Sequence, residues 1–111
     1  MPLAIASEAA RLGELGLTDR DLARATGAAP STARAWLAER SAPTGERAER
    51  LIELAAMVER LERLMRADYI SIWLRKPVPG LDHDKPLDVI GRGDYRRVAR
   101  LLSELEGTTA S

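Results

Sequence analysis

The chain is 111 residues long, 45% hydrophobic and 31% charged, a globular balance for one ordinary domain or two small helical modules sharing a core. Its 17 Lys and Arg against 17 Asp and Glu give a formal net charge of +0, so affinity for nucleic acid has to come from local arrangement of charge, not bulk attraction. The absence of Cys excludes disulfides, thiolate metal sites and Cys nucleophiles, and the first residues lack the pattern of a signal peptide or membrane span, so a cytoplasmic protein is expected.

No stretch alternates apolar with polar residues over strand length, and helix formers dominate, which predicts an all-α fold. The first helix is expected over residues 3–15, stopped at Gly16. A second begins at Thr18, a good N-cap oxygen, with Asp21 at the capping-box position where Glu or Gln is usual. It ends near Gly27 and turns Leu22, Ala23 and Ala25 inward. A third starts at Pro30, whose fixed φ suits the first helical turn, and sets Ala33, Trp36 and Leu37 on one buried face.

Thr44 is expected to cap the longest helix, over residues 45–66. In it Leu51, Leu54, Val58, Leu61 and Met65 recur at spacings of three and four, a seam to be buried inside the fold or at a homodimer interface. Glu46 with Arg50, Glu59 with Arg63 and Glu62 with Arg66 form i,i+4 pairs worth about 0.2–0.5 kcal/mol each. A shorter helix then holds Tyr69, Ile70, Ile72, Trp73 and Leu74, and Pro77 and Pro79 force an extended turn. A helical turn is expected over residues 85–90. After the Gly91-Arg92-Gly93 break, Asp94 can cap a last helix with Tyr95, Val98, Leu102 and Leu105 inward. Residues 107–111 read as a frayed tail.

Little in this pattern suggests catalysis. Asp82-His83-Asp84 lies in a Pro/Gly-bounded loop where adjacent side chains point apart, and with no second His and no Cys it reads as a turn, not a metal or acid–base site. Gly91-x-Gly93 is too short for a dinucleotide loop, and Trp36 and Trp73 fall on apolar helix positions as core residues. The expectation is a non-enzymatic protein with no catalytic residues, no metal and no cofactor.

From Leu17 to Arg40 two short helices with Gly at the turn, and a Trp-Leu pair pinning the second, resemble the helix-turn-helix of the Xre class of bacterial regulators. The first helix would brace the second, whose outer face enters a major groove about 12 Å wide. Ser31, Thr32, Arg34 and Arg40 are the candidate DNA-binding residues. Ala29 and Pro30 depart from the capping Ser and polar base reader that are common in the class. Four Arg against Asp19, Asp21 and Glu39 between Thr18 and Arg40 give 4 − 3 = +1, which neutralises few phosphates. The alternative is a helix-turn-helix kept as a packing or dimerising scaffold.

Downstream, Ile72-Trp73-Leu74, Pro77-Val78-Pro79-Gly80, Pro86-Leu87-Asp88, Gly91-Arg92-Gly93 and the helix from Val98 to Leu105 follow in this order. With the preceding helix-turn-helix and long helix, the set resembles the Xre/MbcA/ParS-type antitoxin family. The resemblance implies a helix-turn-helix domain with a long connecting helix over residues 1–66, joined to a small helical toxin-binding domain over 67–111. It also implies a type II antitoxin that occludes the active site of a RES-domain toxin, an enzyme that destroys NAD, and that represses its own operon. Arg92, Tyr95, Arg96, Arg97 and Arg100 are the candidate toxin contacts, because four Arg against Asp94 make a patch of 4 − 1 = +3 that would steer toward an acidic surface. The partners expected are the toxin, operator DNA, and a second copy or a higher hetero-oligomer with toxin, with no membrane. The competing readings are a stand-alone Xre-like regulator whose C-terminal domain dimerises it, and a structural adaptor with a vestigial helix-turn-helix.

Overall fold

A computed structural model describes residues 2–109 of the chain, with the side chains of residues 5–107. Seven α-helices follow in order: α1 (Pro2–Glu14), α2 (Asp19–Thr26), α3 (Pro30–Leu37), α4 (Gly45–Leu61), α5 (Ala67–Arg75), α6 (Pro86–Gly91) and α7 (Tyr95–Thr109). A short 3-10 turn, Pro79–Leu81, precedes α6, and no strand forms among the described residues.

Helices α2 to α4 pack as the sequence pattern requires. Thr18 accepts from the Asp21 amide at 3.3 Å while the Asp21 carboxylate accepts from the Thr18 amide at 2.8 Å, a complete capping box with Asp in place of the usual Glu. Gly27 ends α2 at φ +82°, in the left-handed region that favours glycine. On α4, Leu51, Leu54, Val58 and Leu61 are all fully buried within the one chain, so the seam belongs to the interior and not to a homodimer interface. Burial of each such side chain contributes about 1.5–3 kcal/mol.

The long helix starts after Thr44 without the expected side-chain cap, the Thr44 hydroxyl making no bond to the first turn, and it stops five residues before the expected end at residue 66. Past Leu61 the chain tightens into i→i−3 bonds, Arg63 to the Arg60 carbonyl at 3.1 Å and Leu64 to the Leu61 carbonyl at 2.9 Å, and restarts as a helix at Ala67. The expected Glu62–Arg66 pair is replaced by two others. Glu62 accepts from Arg11 of α1 at 2.6 Å, and Arg66 turns to Asp68 at 3.2 Å. Leu64 and Met65 in this turn are half-buried against the core.

One continuous apolar core runs through the molecule, taking Leu22 and Trp36 from the helix-turn-helix, Ile70 and Leu74 from α5, Leu87 and Ile90 from α6, and Val98 and Leu102 from α7. Two contacts lock the two halves together. Gly91 of α6 lies so close to the Arg24 carbonyl of α2 that any Cβ there would collide with backbone, and Arg24 itself pairs with Asp88 at 3.2 Å. Arg75 at the end of α5 donates to both Asp21 oxygens, Nε to Oδ1 at 3.0 Å and Nη2 to Oδ2 at 2.6 Å, and to the Gly16 carbonyl at 2.9 Å.

The last helix also differs from expectation. It continues through Gly107 to Thr109, whereas residues 110 and 111 of the expected tail lie outside the described residues. Leu105 is 38% exposed, because α7 has passed the edge of the core by that point. Arg60 of α4 holds this outer stretch by donating to Ser103 and Glu106, each at 3.1 Å.

Candidate functional site

The two surfaces singled out in the sequence lie on α3 and on α7. Helix α3 begins at Pro30 after Ala29, with no side-chain cap, and buries Ala33 and Trp36. Its outer face carries Ser31 and Arg34, both exposed, with Thr32 and Ala35 half-covered beside them. Arg40 is exposed just past the helix, where Glu39 takes φ +58° and the Arg40 amide reaches back to the Ala35 carbonyl at 2.9 Å. All four candidate DNA contacts are thus accessible in varying degree, Ser31, Arg34 and Arg40 more than Thr32.

Arg34 is not a bare cation. Its Nε and Nη2 both donate to Oδ2 of Asp19, at 3.1 and 2.8 Å, across the gap between the first turn of α2 and the outer face of α3. Oδ1 of the same carboxylate accepts from the Arg20 amide at 2.8 Å. The Arg34 hydrogen bonds hold the Asp19 carboxyl below the ordinary aspartate range, helped by the Arg20 amide.

The five candidate partner contacts, four on α7 and Arg92 at the end of α6, divide. Arg96 and Arg100 are exposed. Tyr95 is half-buried and packs on the core. Arg92 is exposed but pairs with Asp84 at 2.9 Å. Arg97 is drawn into the fold, its Nη2 donating to the Leu81 carbonyl at 2.9 Å and its guanidinium lying within 3.4–3.8 Å of Asp82, Asp84 and Asp94. Folding therefore brings two carboxylates to the patch that the linear count left out, and its charge becomes 4 − 3 = +1 for Arg92, Arg96, Arg97 and Arg100 against Asp82, Asp84 and Asp94.

The Asp82-His83-Asp84 loop that supplies them is a tight reversal. Asp82 and His83 both adopt positive φ, at 55° and 66°, and the loop closes through the Val78 amide on the Asp84 carbonyl and the His83 amide on the Val78 carbonyl. Among the described residues no group of three His, Cys, Asp or Glu side chains is placed to hold a metal ion.

The helix-turn-helix family matches residues 8–55, which covers the second half of α1, all of α2 and α3, and most of α4. The mycobacterial cidal antitoxin MbcA of Mycobacterium bovis is 32% identical to this chain over 91 residues, 82% of this chain and 80% of that protein. The protein of the same name from Mycobacterium tuberculosis matches to the same extent. The chain belongs to the Xre/MbcA/ParS-type antitoxin family. A chain in the crystal structure of the M. tuberculosis MbcT-MbcA toxin-antitoxin complex superimposes on this antitoxin with a TM-score of 0.78 and 32% identity, covering 92% of this chain and 94% of that one.

Three features of the antitoxin's surfaces had no local signature in the sequence. Asp19 lies 15 residues from Arg34, Asp84 lies 13 from Arg97, and Asp21 lies 54 from Arg75, so no helical spacing joins the partners. An Asp in the first turn of a helix is already accounted for by the helix dipole, which hides any second role. For Asp21 burial pushes the carboxyl up, and the Arg75 guanidinium with the Thr18 amide more than offsets it, leaving Asp21 below its ordinary value.

Proposed function

We propose that this antitoxin binds a RES-domain toxin, covers the active site through which that enzyme destroys NAD, and represses its own operon through the helix-turn-helix. The observation that carries the reading is the extent of the likeness to MbcA, which spans both the helix-turn-helix and the segment from α5 to α7 at 32% identity. MbcA itself occurs in a complex with the toxin MbcT. On this reading residues 67–111 form the toxin-binding part and residues 1–66 the DNA-binding part, the antitoxin acts without catalysis or cofactor in the cytoplasm, and it works as a homodimer or in a larger assembly with toxin.

Arg96 and Arg100 are the contacts that charge would favour, since they are exposed and make none of the ion pairs that occupy Arg92 and Arg97. Tyr95, Arg92 and Arg97 are placed to set the position of α7 as much as to meet a partner. DNA binding by one copy is weak, because its helix-turn-helix carries a net charge of only +1, and it strengthens when a partner joins two copies.

The test is co-expression with the product of the adjacent gene, reading recovery of growth, intracellular NAD and co-purification. Wild-type chain should protect. The pair Arg96→Glu and Arg100→Glu should slow association about tenfold or more, as reversal of steering charges does, and lose protection at equal abundance with an unchanged melting temperature. Deleting α7 is a poor test, because Val98 and Leu102 belong to the core. A fully protective double variant would place the inhibitory surface elsewhere. Failure to bind the neighbouring product, with retained binding to upstream DNA, would favour a stand-alone regulator.

A further inference from the structure

Helix α3 carries one charged side chain, Arg34, and that side chain is 64% exposed. A guanidinium has five N–H donors. Asp19 takes the Nε hydrogen and one from Nη2, both on the single oxygen Oδ2. Three donors remain, two on Nη1 and one on Nη2, and they include the end-on Nη1/Nη2 fork. Asp19 cannot easily swing away, since its other oxygen is held by the Arg20 amide.

From this geometry we infer that Arg34 is a base reader, aimed by Asp19 at the O6/N7 edge of a guanine in the major groove, and that it is not a phosphate contact. The inference rests on the DNA-binding reading above and gives that site its base preference. The physical reason is charge. An arginine closed onto a carboxylate presents little net charge, so a phosphate gains little from it and is repelled by Asp19. A guanine edge is neutral, and its two acceptors match the free fork in spacing and direction. The neighbouring side chains strengthen the assignment: Pro30 and Ala35 offer no side-chain donor, so Ser31, Thr32 and Arg34 are the polar side chains of the outer face. Asp19 is a positioning residue, fixing one rotamer of a side chain that would otherwise sample many.

The experiment selects binding sites from a library of duplexes with a randomised core, using the whole chain as wild type, Arg34→Ala, Asp19→Asn and the double variant of both. It also measures the salt dependence of binding to one random-sequence duplex. Wild type should enrich sites with a guanine at one fixed position. Arg34→Ala should lose that guanine, by about tenfold or more, and keep the rest of the motif, while the double variant Arg34→Ala with Asp19→Asn, which removes the pair at constant charge, should lose the same guanine and keep the salt slope. Asp19→Asn should blunt the same guanine, bind the random duplex more tightly, and steepen the salt slope by about one phosphate, because the freed charge now counts. Melting temperatures within a few degrees of wild type keep the comparison free of unfolding. An Arg34→Ala chain that enriches the same motif, or a double variant that loses one phosphate from its salt slope, overturns the assignment. If wild type enriches no sequence at any salt concentration, the DNA-binding reading fails and the assignment falls with it.

Discussion

Helices α2 and α3 are both eight residues long and stand side by side, yet they relate to the molecule in opposite ways. Helix α2 buries five residues, including the charged Asp21, and is clasped by α5 and α6 of the C-terminal half. Helix α3 buries only Ala33 and Trp36 and leaves Pro30, Ser31 and Arg34 exposed. A helix-turn-helix needs one helix that is held and one that is offered. Here part of the holding is done by α5 and α6, through Arg75 on Asp21 and Gly91 against the Arg24 carbonyl, so the two halves share one folding unit.

The contrast can be broken most severely on α2. Leu22 is fully buried, and Leu22→Ala should cost about 3 kcal/mol, read as a shift in the denaturation midpoint at unchanged slope. A loss under about 1 kcal/mol would mean that the site collapses freely, against the close packing expected of protein interiors. The clasp itself is probed by Gly91→Ala, which sets a methyl group against the Arg24 carbonyl and should cost about 2 kcal/mol by forcing α6 away from α2. If the melting temperature of that variant is unchanged, the two helices are not in contact in solution.

A smaller effect sharpens the comparison by pH. Asp21 is held below its ordinary value of 3.8, so its contribution is complete above that value and is lost as pH falls through the lower value of the folded state. Asp21→Asn should therefore remove about 1 kcal/mol at neutral pH, with the exposed part of Arg75 limiting the amount, and should flatten the acid limb of the stability curve below pH of about 4. Parallel acid limbs in the two proteins would assign the effect to another carboxylate. Least of all should change on the offered helix. Ser31→Ala is expected to alter stability by less than about 0.5 kcal/mol, measured in the same denaturation series.

How much of this was legible in the sequence depends on the range of the interaction. The capping box at Thr18 and Asp21, the Pro30 start of α3 and the buried seam of α4 all follow from residues within one or two turns of each other, and each was read correctly. The end of α4 was not: Glu62 pairs with Arg11, fifty-one residues away, in place of the expected Arg66, and no local spacing announces that contact. The charge of the α7 patch failed for the same reason: a count along the helix omits Asp82 and Asp84, which arrive from the loop before α6. Gly91 is the intermediate case. The sequence marks it as a break, but the structure shows it inside the last turn of α6, small because the Arg24 backbone passes against it.

The continuation of α7 to Thr109 bears on the speed and entropy of recognition. A frayed segment that orders on binding loses about 1–2 kcal/mol of backbone entropy for each residue fixed, and its association waits on folding. Residues 107–109 are already helical, and Arg60 anchors the turn before them through Ser103 and Glu106. Whatever meets this end of the molecule therefore meets backbone already in helical form, and the entropy to be lost there on binding is correspondingly smaller.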